Sequence, residues 1–326
     1  MRLNRRFVMA LAGGGLLAAC EPADHGGVLT ACDVHRDGYP TVEAVKWLGQ
    51  RLSEQTQGRL TIRNYPSGQL GVEDDTIALA QSGVIDMCRV NAASLNNAFP
   101  LTQVVCMPFG IEDDAHLHRV LDGAIGQEIL NSFANRGLIG LAAYDAGGRC
   151  FYNTHRPIVQ PSDLKGLKIR VPQSDVFIDA VAAMGANPTP LGVGAVYSAL
   201  QSRLIDGAEN NWPTFDSSRH VEVAHYWSNT RHSYSPEFLL MSAKSFARLS
   251  TTDQATLREL AKASVQVMRQ NWARFEAESR DRALKAGTKM VDVDRATFKQ
   301  ACEPVNRARL THPDVARLFA AVRAMV

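Results

Sequence analysis

The sequence predicts an α/β protein of two domains, with mixed sheets and one long helix running along both. Three observations predict it. Strand-like and helix-like segments alternate along the chain. A second round of that alternation begins near Gly147. From Thr252 to about Ala286 the pattern is helical with no proline and no glycine, long enough to reach across two units. A length of 326 residues at 45% hydrophobic composition suits about two cores.

The first residues, MRLNRRFVMALAGGGLLAAC, read as a targeting segment over 1–20. A basic head precedes an apolar run from Phe7 to Ala19 that is too short to span a bilayer comfortably. Leu17-Ala18-Ala19-Cys20 looks like a bacterial lipobox, so Cys20 is expected to carry a lipid and the protein to be tethered outside the cytoplasm. Simple cleavage between Ala19 and Ala23 is the alternative. The Arg5-Arg6 pair leaves both the general and the twin-arginine export routes open. Removing Arg2, Arg5 and Arg6 takes the formal charge from +2 to −1. A near-neutral chain gives no electrostatic case for nucleic acid.

Beyond the leader, Thr41 is expected to cap a helix carrying Val42, Val45, Leu48 and Leu52 on one face, with Gly58 stopping the segment. RLTIRNYP is a strand. Glu73, Asp74 and Asp75 open the next helix, where acids complement its dipole. GVIDMCRV is a strand that delivers Asn91, and GLIGLAAYD is a buried-type strand. In the second unit, LKGLKIRVP alternates Leu167, Ile169 and Val171 with Lys168 and Arg170, and Pro172 ends it. A helix through Val176, Phe177, Val181 and Met184 follows, so Arg170 lies near a strand's carboxyl end and a helix amino terminus. Lys168 and Arg170 are either a wet strand face or, for Arg170, an anion anchor. HSYSPEFLLMSAKSF returns the chain to the first unit. The expected domains are 28–147 plus about 237–272, and 148–236 plus about 273–326.

Catalytic and metal motifs are missing. The five cysteines beyond Cys20 have no CxxC pairing, and the nine histidines include no HExxH. Gly192-x-Gly194 lacks the third glycine of a dinucleotide fingerprint, NPTP before it is no clean strand, and a tight turn explains it. No GxSxG elbow occurs, and no cofactor or metal is expected. Polar residues gather instead at strand ends: Arg149 after Gly147-Gly148, Asn91, and Asn210, Asn211 and Trp212 together. Arginines, amides and a tryptophan at one topological position suit a small polar anion.

QGRLTIRNYPSGQLG, GVIDM, DLKGLKIRVP and LIDGAEN together resemble the solute-binding proteins of TRAP (tripartite ATP-independent periplasmic) transporters, over roughly Val28 to the C-terminus. The resemblance implies a periplasmic-binding-protein-like fold, two α/β domains closing on a ligand. It implies a periplasmic receptor, not an enzyme, that works with the membrane permease subunits of a TRAP importer. Arg170 would anchor the ligand carboxylate, with Arg149, Asn210 and Asn91 as further contacts. Two positions depart from the family pattern: Ala195 replaces a common glutamate and Val193 a common aromatic residue, which puts contacts near that helix in doubt. YDAGGRCFYN and AENNWPTFDSSRH look like the branch that takes hexuronates such as D-glucuronate and D-galacturonate. Asn211, Trp212 and His35 would complete such a site, against the plain readings of Trp212 as core and His35 as a loop cap. A C4-dicarboxylate held by Arg149 and Arg170 is the second reading. An exported enzyme and a sensory receptor are the other classes.

Overall fold

The computed structural model describes residues 27–325. Cys20, with the lipid and leader cleavage expected there, lies outside them. Among the described residues eleven strands form two sheets. The first contains β1 (Gly27–Cys32), β2 (Leu60–Tyr65), β3 (Met87–Asn91), β4 (Leu138–Tyr144) and β10 (Glu237–Ser242). The second contains β5 (Gly148–Asn153), β6 (Lys168–Val171), β7 (Asn187–Pro190), β8 (Gly207–Asn210), β9 (Tyr226–Tyr234) and β11 (Lys289–Val291). Their spatial orders are β2-β1-β3-β10-β4 and β11-β9-β5-β8-β6-β7. Both sheets are mixed: β10 runs antiparallel between β3 and β4, while β5 runs antiparallel to both β8 and β9.

The chain crosses between the sheets in the short segments 145–147 and 235–236, and a third time in the helix Thr251–Lys285. That helix has 35 residues, about 52 Å at 1.5 Å per residue. The Ser250 side chain caps its start by accepting from the Asp253 N–H, and Arg282 and Lys285 face the negative end of its dipole. It packs on the helix Pro40–Gln55 and β4 in the first unit, and on the helix Trp212–Ser217 in the second.

Local outcomes differ from the sequence reading where tertiary contacts intervene. The first helix begins at Pro40, whose missing N–H suits a first turn, and Thr41 instead donates from its hydroxyl to Asp33 at 2.8 Å. Asn187–Pro190 is a strand after all: it is the edge of the second sheet, the place where prolines are tolerated. The terminal helix Pro313–Arg323, expected with the second unit, packs on the first. Its Phe319 lies against Gly110, and its Val322 carbonyl lies 3.0 Å from His116 Nε2.

Across the cleft the units touch at Asn96–Ser174 (2.8 Å) and Tyr39–Thr214 (3.2 Å), with Val72 beside Gly192.

Candidate functional site

A cavity of about 380 Å³ opens where the carboxyl ends of β3, β6 and β8 converge. This is the crevice that α/β sheets offer to ligands. Of the seven residues the sequence nominated, the structure brings five to its wall: His35, Asn91, Arg149, Arg170 and Asn210.

One end of the cavity is cationic. Arg170 and Lys168 share a face of β6, but Lys168 is exposed and Arg170 is only 4% exposed. Pairing on both sides, with Thr189 of β7 and Ala208 of β8, holds the Arg170 backbone. Its Nε and Nη2 both donate to the Leu191 carbonyl, at 2.8 and 2.5 Å. No carboxylate pairs with it among the described residues. Burial, reinforced by the Arg149 charge and only partly offset by Glu209, pulls its pKa down to about 10. A buried cation supplied with one carbonyl and no carboxylate is suited to hold an anion.

Arg149 is not free to do the same. Its Nε and Nη2 grip the Glu209 carboxylate at 2.6 and 2.8 Å, Nη2 also reaches the Glu209 carbonyl, and Nη1 donates to Asn210 Oδ1 at 3.1 Å. Burial alone would push the Glu209 carboxyl up, but Arg149 outweighs it and, with His232, holds it at about 2. Asn210 Oδ1 accepts from Arg149 and from the Asn211 N–H, which leaves the Asn210 Nδ2 hydrogens for the cavity.

The opposite end is acidic, and the sequence did not reveal it. Arg89, 1% exposed, is surrounded by Asp33, Glu73 and Glu237 and pairs with all three. Three carboxylates thus share one guanidinium, and Glu73 and Glu237 line the cavity. Burial opposes ionisation of Glu237, yet Arg89, His35 and Asn91 together bring it to about 2. Glu73 accepts from Arg89, from the Asn91 N–H at 2.9 Å and from the Ser94 hydroxyl at 2.6 Å. Asn91 reaches the cavity with its amide already engaged. It donates to Ser235 and Glu237 and accepts from Ala93 and Ser235. Its role here is to orient Glu237. His35 stacks on Tyr39 at 3.8 Å, with Nε2 3.8 Å from Glu237.

The remaining two nominees turn away. Asn211 caps the helix Trp212–Ser217 by accepting from Thr214 N–H and donates to the Ala146 carbonyl, both at 2.8 Å. Trp212 stacks on Trp227 at 3.6 Å within the second unit's core, so its plain reading as a core residue is the one the packing supports. Trp212→Leu is therefore expected to lower stability by about 1 kcal/mol through the lost stack and to leave ligand affinity unchanged. Urea unfolding beside calorimetric titration checks both. The Gly192-x-Gly194 segment, a turn in the sequence reading, also forms part of the cavity wall.

Two α/β units bridged by three segments, with a polar crevice between them, define a solute-binding receptor. The bacterial extracellular solute-binding protein family 7 matches residues 32–310, and the chain belongs to it. It is similar to a solute-binding protein of Chromohalobacter salexigens, 33% identical over 288 residues, which cover 88% of this chain and 86% of that one. Among solved structures it resembles a TRAP periplasmic solute-binding protein of Bradyrhizobium, which holds α/β-D-galacturonate (TM-score 0.90, 43% identity, 91% of this chain and 100% of that one). It also resembles one of Roseobacter denitrificans with bound β-D-glucuronate (TM-score 0.89, 34% identity, 91% and 99%). The chain is thus a TRAP-type extracytoplasmic solute receptor.

Proposed function

We propose that the ligand is a hexuronate, D-glucuronate or D-galacturonate, with its carboxylate on Arg170 and its hydroxyls directed to Glu73, Glu237 and the Asn210 amide. The observation that carries this reading is the polarity of the cavity. Among the described residues Arg170 meets no counter-ion, while the facing wall holds Glu73 and Glu237, which share Arg89 with Asp33 behind them. One carboxylate with a set of hydroxyl donors matches both ends. A C4-dicarboxylate does not. Its second carboxylate would find Arg149 already matched by Glu209, or would face Glu73 and Glu237. The ligands held by the Bradyrhizobium and Roseobacter proteins support the same choice.

Binding is coupled to closure of two domains, 28–147 with about 237–272, and 148–236 with about 273–312, the terminal helix moving with the first. The hinges are 145–147, 235–236 and the long helix. A ligand touching Arg170 on one unit and Glu73 on the other favours the closed form, because only there are both contacts made. The closed form then presents the sugar acid to the membrane subunits of the importer.

A thermal-shift series tests the assignment. At a hundred times its dissociation constant a ligand adds about 2.7 kcal/mol, a shift of several degrees. D-Glucuronate or D-galacturonate is expected to give that shift, and glucose and succinate none. Glu73→Gln is expected to weaken uronate binding about tenfold, the worth of one hydrogen bond to a charged acceptor. A shift with succinate alone overturns the reading.

A further inference from the structure

The uronate cavity does not end at its own wall. A second cavity of about 240 Å³ meets it along Val34, His35, Ser67, Val193 and Gly194, which line both. Gly194, exposed, is one of the residues the two share, and an added Cβ there would find nothing within 4 Å. The first cavity already falls in the usual size range for a small ligand, about 300–1,000 Å³, so the annex is room beyond the need of one sugar.

The annex is polar, and several of its groups lack partners. Arg36, exposed to solvent, lines it, and among the described residues no protein acceptor or carboxylate meets its guanidinium. The neighbouring ions do not compete for this role: Asp37 is paired with Lys46, and Glu222 with Arg219. Ser217 and Ser218 line the annex with side-chain hydroxyls that meet no protein partner among the described residues. His220, 1% exposed, also belongs to its wall. Its Nδ1 lies 2.8 Å from the Tyr152 hydroxyl, while its Nε2 is buried with no partner. Burial and the nearby Arg170 push the His220 pKa down to about 3, so the ring is neutral and Nε2 is left with one hydrogen bond unmade. Tyr197 adds an aromatic ring, the kind of surface on which a sugar face packs.

We propose that the annex is a second subsite and that the receptor takes an acidic disaccharide, two uronate residues joined by a glycosidic bond. One carboxylate sits on Arg170 and the second on Arg36. The link passes over Gly194, and the outer ring lies by Tyr197 with its hydroxyls toward Ser217 and Ser218. This inference rests on the sugar-acid reading and extends it from one ring to two. The reaction that supplies such a ligand is cleavage of an acidic polysaccharide outside the cell.

Calorimetric titration of the protein with D-galacturonate and with α-1,4-linked digalacturonate tests it, in the wild type and in Arg36→Gln. Arg36 lines only the annex. The expected result is that the wild type binds digalacturonate at least as tightly as the monomer. Arg36→Gln should lose about tenfold in affinity for the dimer and none for the monomer. Binding of the monomer with exclusion of the dimer overturns the annex and leaves the sugar-acid reading standing. So does an Arg36→Gln variant whose dimer affinity is unchanged, or whose two affinities fall together. Failure of both sugars to bind overturns the sugar-acid reading, and the second subsite falls with it.

Discussion

Arg170→Met is expected to weaken binding of the sugar acid at least a hundredfold while leaving the ligand-free protein as stable as before, or more so. The affinity loss follows from the lost fork. Two hydrogen bonds to a carboxylate, each contributing about 1.5–3 kcal/mol, make a loss of about 3 kcal/mol or more. The stability effect has the opposite sign. Burial pulls the Arg170 pKa below its ordinary 12.5, to about 10, so the folded protein holds that proton less tightly than the unfolded chain does. At neutral pH the cation is therefore a burden on the empty fold. Methionine keeps most of the apolar stem and removes the charge. Arg170→Lys should fall between, since it keeps a cation but loses the planar fork that meets both carboxylate oxygens. Titration calorimetry and thermal unfolding of the ligand-free forms read the two effects separately. A variant that loses affinity and stability in parallel would mean that Arg170 is a structural ion, and the anchor role would be lost.

The place of Arg170 was legible in the sequence because its signals are local, but they left it open between a wet strand face and an anion anchor, and only the family resemblance favoured the anchor. An alternating strand, a terminating proline and a following helix place Arg170 within ten residues of chain. The same holds for Asn210 and Asn91, each the last residue of a strand. The acidic end was not legible, because its members are scattered. Asp33, Glu73, Arg89 and Glu237 come from four segments and meet only when β10 pairs with β3, opposing Glu237 to Asn91. Seen alone, Glu73 is one of three acids in a helix's first turn, a place where acids are ordinary. Asn211 and Trp212 show another limit. Asn210, Asn211 and Trp212 are consecutive, but successive side chains at a strand end point in different directions. Asn210 faces the cleft, Asn211 caps the helix that starts there, and Trp212 turns to Trp227. The terminal helix was misplaced for a similar reason. Its amphipathic pattern fixes which face is buried, but nothing in it says against which unit.

Arg89→Met is expected to destabilise the protein by about 3–5 kcal/mol near neutral pH, the scale for breaking a buried ion cluster by removing one sign of charge. Arg89 meets Asp33, Glu73 and Glu237, so its loss leaves three carboxylates facing one another with His35 as the remaining basic neighbour. The deficit should depend on pH in a defined direction. In the wild type Glu237 is held at about 2, below its ordinary 4.5. It therefore contributes stability that is present above 4.5 and is lost as pH falls toward 2. Without Arg89, burial is no longer outweighed and pushes the same carboxyl up. The variant then bears a penalty above 4.5 that protonation relieves. The gap between the two proteins is accordingly widest near pH 7 and narrows as the pH falls from the variant's raised pKa, above 4.5, toward the wild type's 2. Urea unfolding at pH 7 and pH 3.5 measures it, and a gap of equal size at both would show that Arg89 acts through packing rather than charge. The same variant bears on recognition. Glu73 and Glu237 present their oxygens to the cavity because Arg89 holds them from behind, so Arg89→Met should also weaken uronate binding without touching the ligand. The acidic wall thus serves two ends with one set of residues. Its negative charge is tolerated in a buried place because Arg89 partly matches it, and the surplus left toward the cavity favours hydroxyl donors over a second anion.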